Sequence, residues 1–396
     1  MAIRFDGRVA IVTGAGNGLG RAHALGLASR GAKVVVNDFG GARDGTGGSL
    51  SPAETVVEEI RKAGGTAMAD GADVSNFEQV TAMVERATKE WGSVDLLCAN
   101  AGILRDKSFA KMEVADFAKV MDVHLTGTCY CCKAVWAGMR ERNYGRIVVT
   151  TSSSGLFGNF GQANYGAAKA GMVGLMNVLA EEGRKNNIRV NTISPTAATR
   201  MTEELLPPQA LALMKPEAIT PAVEFLLSED APTRTIMGAG AGSFAVIKII
   251  ETEGINLPQS EWTPDAIAAH FAEIDDVSKA KALQGAFEQT QKYVAQAAAR
   301  AGLVPAIHVF GAARKSDVDA RDKPGLDDCL CDDNSVHSRH VFAFTTCRRH
   351  RRRPRRPDGR RDRSGGGSSR DRRRANAKRR AQTVDGRPRR LEPHAQ

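Results

Sequence analysis

Long apolar runs are missing from this chain of 396 residues. No stretch reaches 18 uninterrupted apolar residues, which excludes a membrane helix of the usual length. The opening residues, Met1-Ala-Ile-Arg-Phe-Asp-Gly-Arg8, run straight into a strand pattern and carry no apolar signal core. A disulfide framework is also missing. The seven cysteines (Cys98, Cys129, Cys131, Cys132, Cys329, Cys331 and Cys347) are odd in number and clustered, which points to a reducing, cytoplasmic compartment. Cys129, Cys131 and Cys132 fall in a helical pattern with no further ligands at metal-binding spacing. They read as small buried hydrophobes, and no metal is expected.

Beyond Gly311 the chain lacks apolar residues in any core-forming pattern. From Gly311 to Gln396 there are 25 Lys and Arg against 12 Asp and Glu, a net of +13; out of a whole-chain +10, that leaves −3 for the first 310 residues. The basic pI therefore describes the tail and says nothing of the part that can fold. From Arg348 the text is nearly all Arg, Pro, Gly, Ser and Asp, too poor in apolar surface to offset the entropy of ordering, so a disordered tail is expected. Two readings stay open for it: a polyanion-binding segment, or GC-rich coding sequence translated out of register.

What is present begins with Val9-Ala-Ile-Val-Thr13, a short apolar run typical of a buried parallel strand. Gly14-Ala-Gly-Asn-Gly-Leu-Gly20 follows, and then a helix pattern over 21–30. Strand, glycine turn and helix make a phosphate cradle: Gly14, Asn17, Gly18, Leu19 and Gly20 let the backbone approach a pyrophosphate, and the helix start offers N–H groups to it. A second strand, Lys33–Asn37, ends at Asp38. A carboxylate there can accept from both ribose hydroxyls and repels a 2′-phosphate, which favours NAD over NADP, although Arg43 in the following loop softens the preference. That loop, 39–52, is long and glycine-rich.

Further along, Asp73 and Val74 follow a third strand (66–70), where the carboxylate serves either the adenine amino group or, with Ser75, a helix N-cap. A strand ending at Cys98 leads into Asn100, Ala101 and Gly102, a small-residue turn suited to close cofactor contact. A helix is expected over 116–139, with His124 inside it. The segment 146–151 reads as a buried strand delivering Ser152. Tyr165 and Lys169, four apart, share a helix face, so the ammonium can favour the ionised phenol and make it a proton carrier near neutrality. A further strand (188–193) delivers Pro195. Residues 201–214, broken by Pro207-Pro208, read as a flap. Gly238–Gly242 reads as an interruption before a strand at 244–250. Thr263 is expected to cap a helix over 263–273 with Pro264 at its first position, and a last helix is expected over 279–301. Strands alternating with helices argue an α/β doubly wound parallel sheet of the Rossmann type over 1–250, a short helical extension over 251–303 and a basic tail over 311–396.

With these residues in hand, the chain resembles the short-chain dehydrogenase/reductase family over roughly residues 5–250. The resemblance is carried by Thr13-Gly-x-x-x-Gly-x-Gly20, Asn100-Ala-Gly102, Ser152 and Tyr165-x-x-x-Lys169. It implies that Tyr165 donates or accepts the proton, that Lys169 lowers its pKa and binds the nicotinamide ribose, and that Ser152 orients the substrate oxygen. His124 stands where the family usually carries an Asn that helps hold a relay water. A closer likeness is to the (3R)-hydroxyacyl-CoA dehydrogenase domains of peroxisomal multifunctional enzymes of type 2, through Val36–Gly41, Asn100–Ala110, Tyr144–Ile147, Gly158–Tyr165 and Arg200–Thr202. This likeness implies a lipid-type substrate, with a hydroxysteroid or an acyl-carrier-protein thioester as alternatives, and a homodimer or homotetramer.

Overall fold

Seven short strands, the first six each followed by a turn and a helical pattern, form the parallel part of one eight-stranded sheet. The computed structural model describes residues 2–198 and 208–302, all within a compact unit that runs to Arg314. The strands are β1 (Val9–Thr13), β2 (Lys33–Asn37), β3 (Thr66–Asp70), β4 (Leu96–Ala99), β5 (Gly145–Thr150), β6 (Ile188–Thr196), β7 (Ile236–Gly240) and β8 (Ser243–Ile247). Their order is β3-β2-β1-β4-β5-β6-β7-β8, parallel throughout except for the antiparallel β8.

The strand period of two sends alternate side chains to opposite faces, so β1 feeds two cores. Val9 and Ile11 pack with α3 (Phe77–Trp91), α5 (Gly127–Arg142) and α7 (Ala163–Gly183). Ala10 and Val12 pack on the other face with α1 (Gly18–Ser29), α2 (Ser51–Lys62) and α9 (Thr220–Leu227). β1, β4 and β5 are buried along their whole length, as a sheet covered on both faces requires. The chain order reverses between β1 and β4, which opens a crevice beyond the carboxyl ends of the strands.

Several expected elements differ in detail. The helix expected over 116–139 runs as α4 (Val114–Met121), a π-helical turn (Asp122–Thr126) and α5, which places His124 in the widened turn. Asn76, rather than Asp73 or Ser75, caps α3 by accepting from Gln79 N–H at 2.9 Å. Asp73 instead accepts from the N–H and hydroxyl of Ser75 in a local turn. The glycines at 238–242 do not interrupt: Ile236–Gly240 is itself β7, paired with β6 from Thr192 to Thr196, and Ala241-Gly242 makes the hairpin turn with φ of 48° and 78°. Positive φ at both central residues suits the twist of a two-residue hairpin. After Ile236 this strand is Met-Gly-Ala-Gly with no further β-branched residue, and pairing with neighbours on both sides supplies what propensity does not.

After β8 the chain forms α10 (Pro264–Ala269), capped by Thr263, then α11 (Phe271–Ile274) and α12 (Ala286–Arg300), which begins later than the periodicity predicts. Two short helices remain, α6 (Ser153–Phe157) and α8 (Pro208–Leu213). Cys98, Cys131 and Cys132 are buried free thiols, whereas Cys129 is exposed and is not a core residue. Half of the flap expectation, residues 201–207, and the whole tail lie outside the described residues.

Candidate active site

The crevice holds a cleft of about 400 Å³ bounded by the ends of β1, β2, β4, β5 and β6. At its dinucleotide end the turn after β1 is shaped by two glycines. Gly14 has φ +61°, and a Cβ there would stand 2.8 Å from the Ala101 Cα; a Cβ on Gly20 would collide with the Gly14 carbonyl. Thr13 ties this turn to the next one, its hydroxyl accepting from Asn100 N–H and Ala101 N–H at 3.0 Å each. Asn100 Nδ2 donates back to the carbonyls of Thr13 and Gly14 at 3.1 and 3.2 Å. The N-cap of α1, Asn17, makes no side-chain capping bond, and Asn17, Gly18 and Leu19 at this helix start line the cleft. Uncapped donors beside a positive helix end suit an anion. The donor set and the glycine-lined approach therefore fit a dinucleotide.

At the end of β2, Asp38 accepts from Gly16 N–H and Gly40 N–H, both at 2.7 Å. These bonds fix the carboxylate on the cleft wall, each oxygen keeping a further lone pair for a donor. The loop over 39–50 does not trail into solvent: Leu104 N–H donates to the Arg43 carbonyl at 3.0 Å and Arg105 Nε to the Asp44 carbonyl at 2.9 Å. It joins the cofactor end of the cleft to the segment before the catalytic residues.

At the other end, β5 delivers Ser152 as the N-cap of α6, and the first turns of α7 deliver Tyr165 and Lys169. All three line the cleft. Lys169 is buried; its Nζ donates to the Thr150 carbonyl at 2.6 Å and lies 5.6 Å from the centre of the Tyr165 ring. His124 presents its ring edge to Tyr165 at 5.2 Å between centres. Its Nε2 lies 3.0 Å from Ile103 N and 2.8 Å from Ile103 O, and its Nδ1 is buried without a partner. Gly102 is required here because a Cβ would run into the His124 ring.

Burial raises the Tyr165 phenol above its ordinary value, a hydrogen bond with Ser152 pulls it down, and the Asp106 carboxylate pushes it up. Burial pulls the Lys169 ammonium down to about 7. Burial likewise holds His124 and His23 down to about 3, so both are neutral near pH 7. The unfolded chain protonates these imidazoles below about pH 6.5 and the folded chain only near 3, so stability is lost as pH falls through that window. Urea midpoints between pH 7 and pH 4 should fall, and His23→Gln should flatten part of the slope; an unchanged slope would show that His23 is not buried neutral.

Of the expected residues, Gly14, Asn17, Gly18, Leu19, Asp38, Asp73, Val74, Asn100, Ala101, Gly102, His124, Ser152, Tyr165, Lys169 and Pro195 line one cleft. Gly20 does not; it packs beneath Gly14 instead. Asn37, Ile103, Asn159, Gln162 and Met214 line the cleft without having been singled out. Asp106 was also passed over, although it binds Gln162. The signal for Asn159 and Gln162 was their place in the Gly158–Tyr165 stretch that carries the closer likeness.

Residues 8–210, about half of the chain, match the short chain dehydrogenase family. The chain belongs to that family. As a short-chain dehydrogenase it is an oxidoreductase acting on CH–OH groups, and the family works with a nicotinamide dinucleotide. It is 48 % identical over 275 residues to a short-chain type dehydrogenase/reductase of Mycobacterium tuberculosis, covering 69 % of this chain and 96 % of that one. It is 49 % identical over 278 residues to the peroxisomal hydratase-dehydrogenase-epimerase of Saccharomyces cerevisiae, covering 69 % of this chain and 31 % of that one. The structure of full-length peroxisomal multifunctional enzyme type 2 from Drosophila melanogaster superposes with a TM-score of 0.63 at 37 % identity, covering 75 % of this chain and 50 % of that one. This short-chain dehydrogenase thus spans half or less of the two multifunctional proteins. Among the described residues, no helix is long and apolar enough to cross a membrane, and no group of three or more His, Cys, Asp or Glu could hold a metal ion.

Proposed function

We propose that the protein is an NAD-dependent dehydrogenase interconverting a (3R)-hydroxyacyl-CoA and the 3-ketoacyl-CoA. The observation that carries the reading is that Ser152, Tyr165 and Lys169 line the same cleft as Gly14 and Asp38. Gly14, Asn17, Gly18 and Leu19 would hold the pyrophosphate, Asp38 the adenosine ribose, Asp73 and Val74 the adenine, and Asn100, Ala101, Gly102, Lys169 and Pro195 the nicotinamide half. When bound, the nicotinamide supplies the acceptor for the hydride leaving the carbinol carbon. Tyr165, in its ionised form, takes the hydroxyl proton and becomes the neutral phenol, so the C–O bond becomes a carbonyl and the charges balance. Ser152 donates to the same oxygen and steadies it as charge develops. His124, neutral and edge-on to the phenol, positions the ring, and its unpaired Nδ1 is the group left to carry a proton onward. The thioester substrate is supported by the Saccharomyces cerevisiae relative, whose name joins a hydratase to a dehydrogenase.

Oxidation of (3R)-3-hydroxyacyl-CoA esters of graded chain length with NAD, read as NADH formation beside a panel of steroid alcohols, tests this reading. Turnover of steroids alone would sink it. Replacing Asp38 by Ala removes the ribose acceptor and the repulsion against a 2′-phosphate. The kcat/KM ratio of NAD to NADP should then fall by about 10- to 100-fold, and an unchanged ratio would remove Asp38 as the selector.

A homodimer or homotetramer belongs to the same proposal. Phe244 and Val246 on the edge strand β8, with Ile249 and Ile250 beyond it, are at least half exposed, an apolar face suited to burial between subunits. Light scattering that returns the mass of one chain would refute it. For the compartment the cytoplasm is kept, on the buried free thiols; both multifunctional relatives are peroxisomal by name, and fractionation of the native host decides.

A further inference from the structure

The polar run that precedes Tyr165 builds a second oxygen site that the chemistry above does not use. Gln162, the N-cap residue of α7, is 9 % exposed and lines the cleft one turn before Tyr165. Its Oε1 accepts from Ser154 Oγ at 2.8 Å and from Asn159 Nδ2 at 3.0 Å, which occupies both lone pairs. Its Nε2 donates to Asp106 Oδ2 at 2.6 Å. An amide nitrogen carries two hydrogens, so one N–H is left. The Asp106 carboxylate can only accept, and it therefore fixes which end of the amide is nitrogen. The same cluster reaches the catalytic serine, because Ser154 N–H donates to Ser152 Oγ at 3.2 Å.

We propose that this remaining Gln162 N–H binds the thioester carbonyl of a 3-ketoacyl or 3-hydroxyacyl thioester while Tyr165 and Ser152 hold the oxygen on C3, and that Asp106 is the positioning residue that aims it. The inference rests on the hydroxyacyl reading and names what selects that substrate. Residues three apart at a helix start stand roughly 5–6 Å apart at Cβ, so their inward-reaching side chains can grip oxygens on alternate carbons. A steroid alcohol or a simple secondary alcohol offers only one such oxygen. It would leave a nearly buried donor without an acceptor, and that mismatch is what discriminates.

The test uses a matched pair of ketones. Acetoacetyl-CoA carries both oxygens; S-(3-oxobutyl)-CoA has a methylene where the thioester carbonyl was. In each, C3 takes a hydride from NADH and its oxygen a proton from Tyr165, giving the alcohol and NAD. Gln162→Met keeps the bulk and removes the donor. It should lower kcat/KM for acetoacetyl-CoA by roughly 10- to 100-fold, chiefly through KM, and should lower the thioether ketone far less. The coupling between residue and carbonyl is the quantity sought. Asp106→Asn should show the same selectivity more weakly. It should also shift the pH profile of alcohol oxidation to lower pH, because Asp106 raises the phenol; Lys169 and neutral His124, the other titratable groups facing Tyr165, stay in place. NADH binding followed by fluorescence establishes that each variant is folded. Equal losses on both ketones would overturn the Gln162 assignment and leave it a loop brace. A wild-type enzyme that reduces the thioether ketone and ignores acetoacetyl-CoA would overturn the hydroxyacyl reading as well, so the two failures can be told apart.

Discussion

The Tyr165→Phe enzyme is expected to lose about 10²- to 10⁴-fold in kcat while binding NADH with little change. The phenol sits at the start of α7 with its ring against His124, and a phenylalanine ring fills the same space, so the substitution deletes one oxygen and little else. That oxygen hydrogen-bonds Ser152 and is the group to which the hydroxyl proton is assigned. Burial raises the phenol, so the wild-type protein must make up the deficit from Ser152 and from the positive charge that cofactor binding brings near it. Stopped-flow reduction and fluorescence titration separate chemistry from binding. A loss below 10-fold would assign the proton to another group, and His124 would be the first to examine.

Lys169→Met should be the second-largest loss, on the order of 10²- to 10³-fold in kcat, since it removes an oriented donor from a water-poor site. It also carries a signature independent of activity. Burial pulls Lys169 from its ordinary 10.5 to about 7. Between those values the unfolded chain binds a proton that the folded chain does not, so wild-type stability rises with pH from about 7 to about 10. The methionine variant should lose that slope, on the order of a few kcal/mol across the window. Denaturant titrations at pH 7, 8.5 and 9.5 measure it, within a range where the backbone stays intact. Equal slopes in the two proteins would mean that the amine reaches solvent and keeps its charge.

The pairing of the Tyr165 spacing with the glycine turn was readable because each motif is local. Four residues along a helix give one face, and a strand followed by glycines gives one turn, whatever surrounds them. His124 shows the limit of that reading. Its helix is legible from periodicity, but the π-helical turn that carries it and the contact of its ring with Ile103, 21 positions away, are not. Gln162 and Asp106 show a second limit. They are 56 positions apart, and nothing in either neighbourhood announces that one will clamp the other.

Local sequence determined six of the sheet's parallel strands, the order of their helices, the glycine turn after β1 and the shared helix face of Tyr165 and Lys169. Each depends on residues within a turn or two of one another. Tertiary structure alone decided how these groups are charged and aimed. It lowered the Lys169 ammonium, raised the Tyr165 phenol and tied the Gln162 amide nitrogen to Asp106. Desolvation and hydrogen-bond direction are properties of what packs around a side chain, and the packing partners come from distant stretches of the chain.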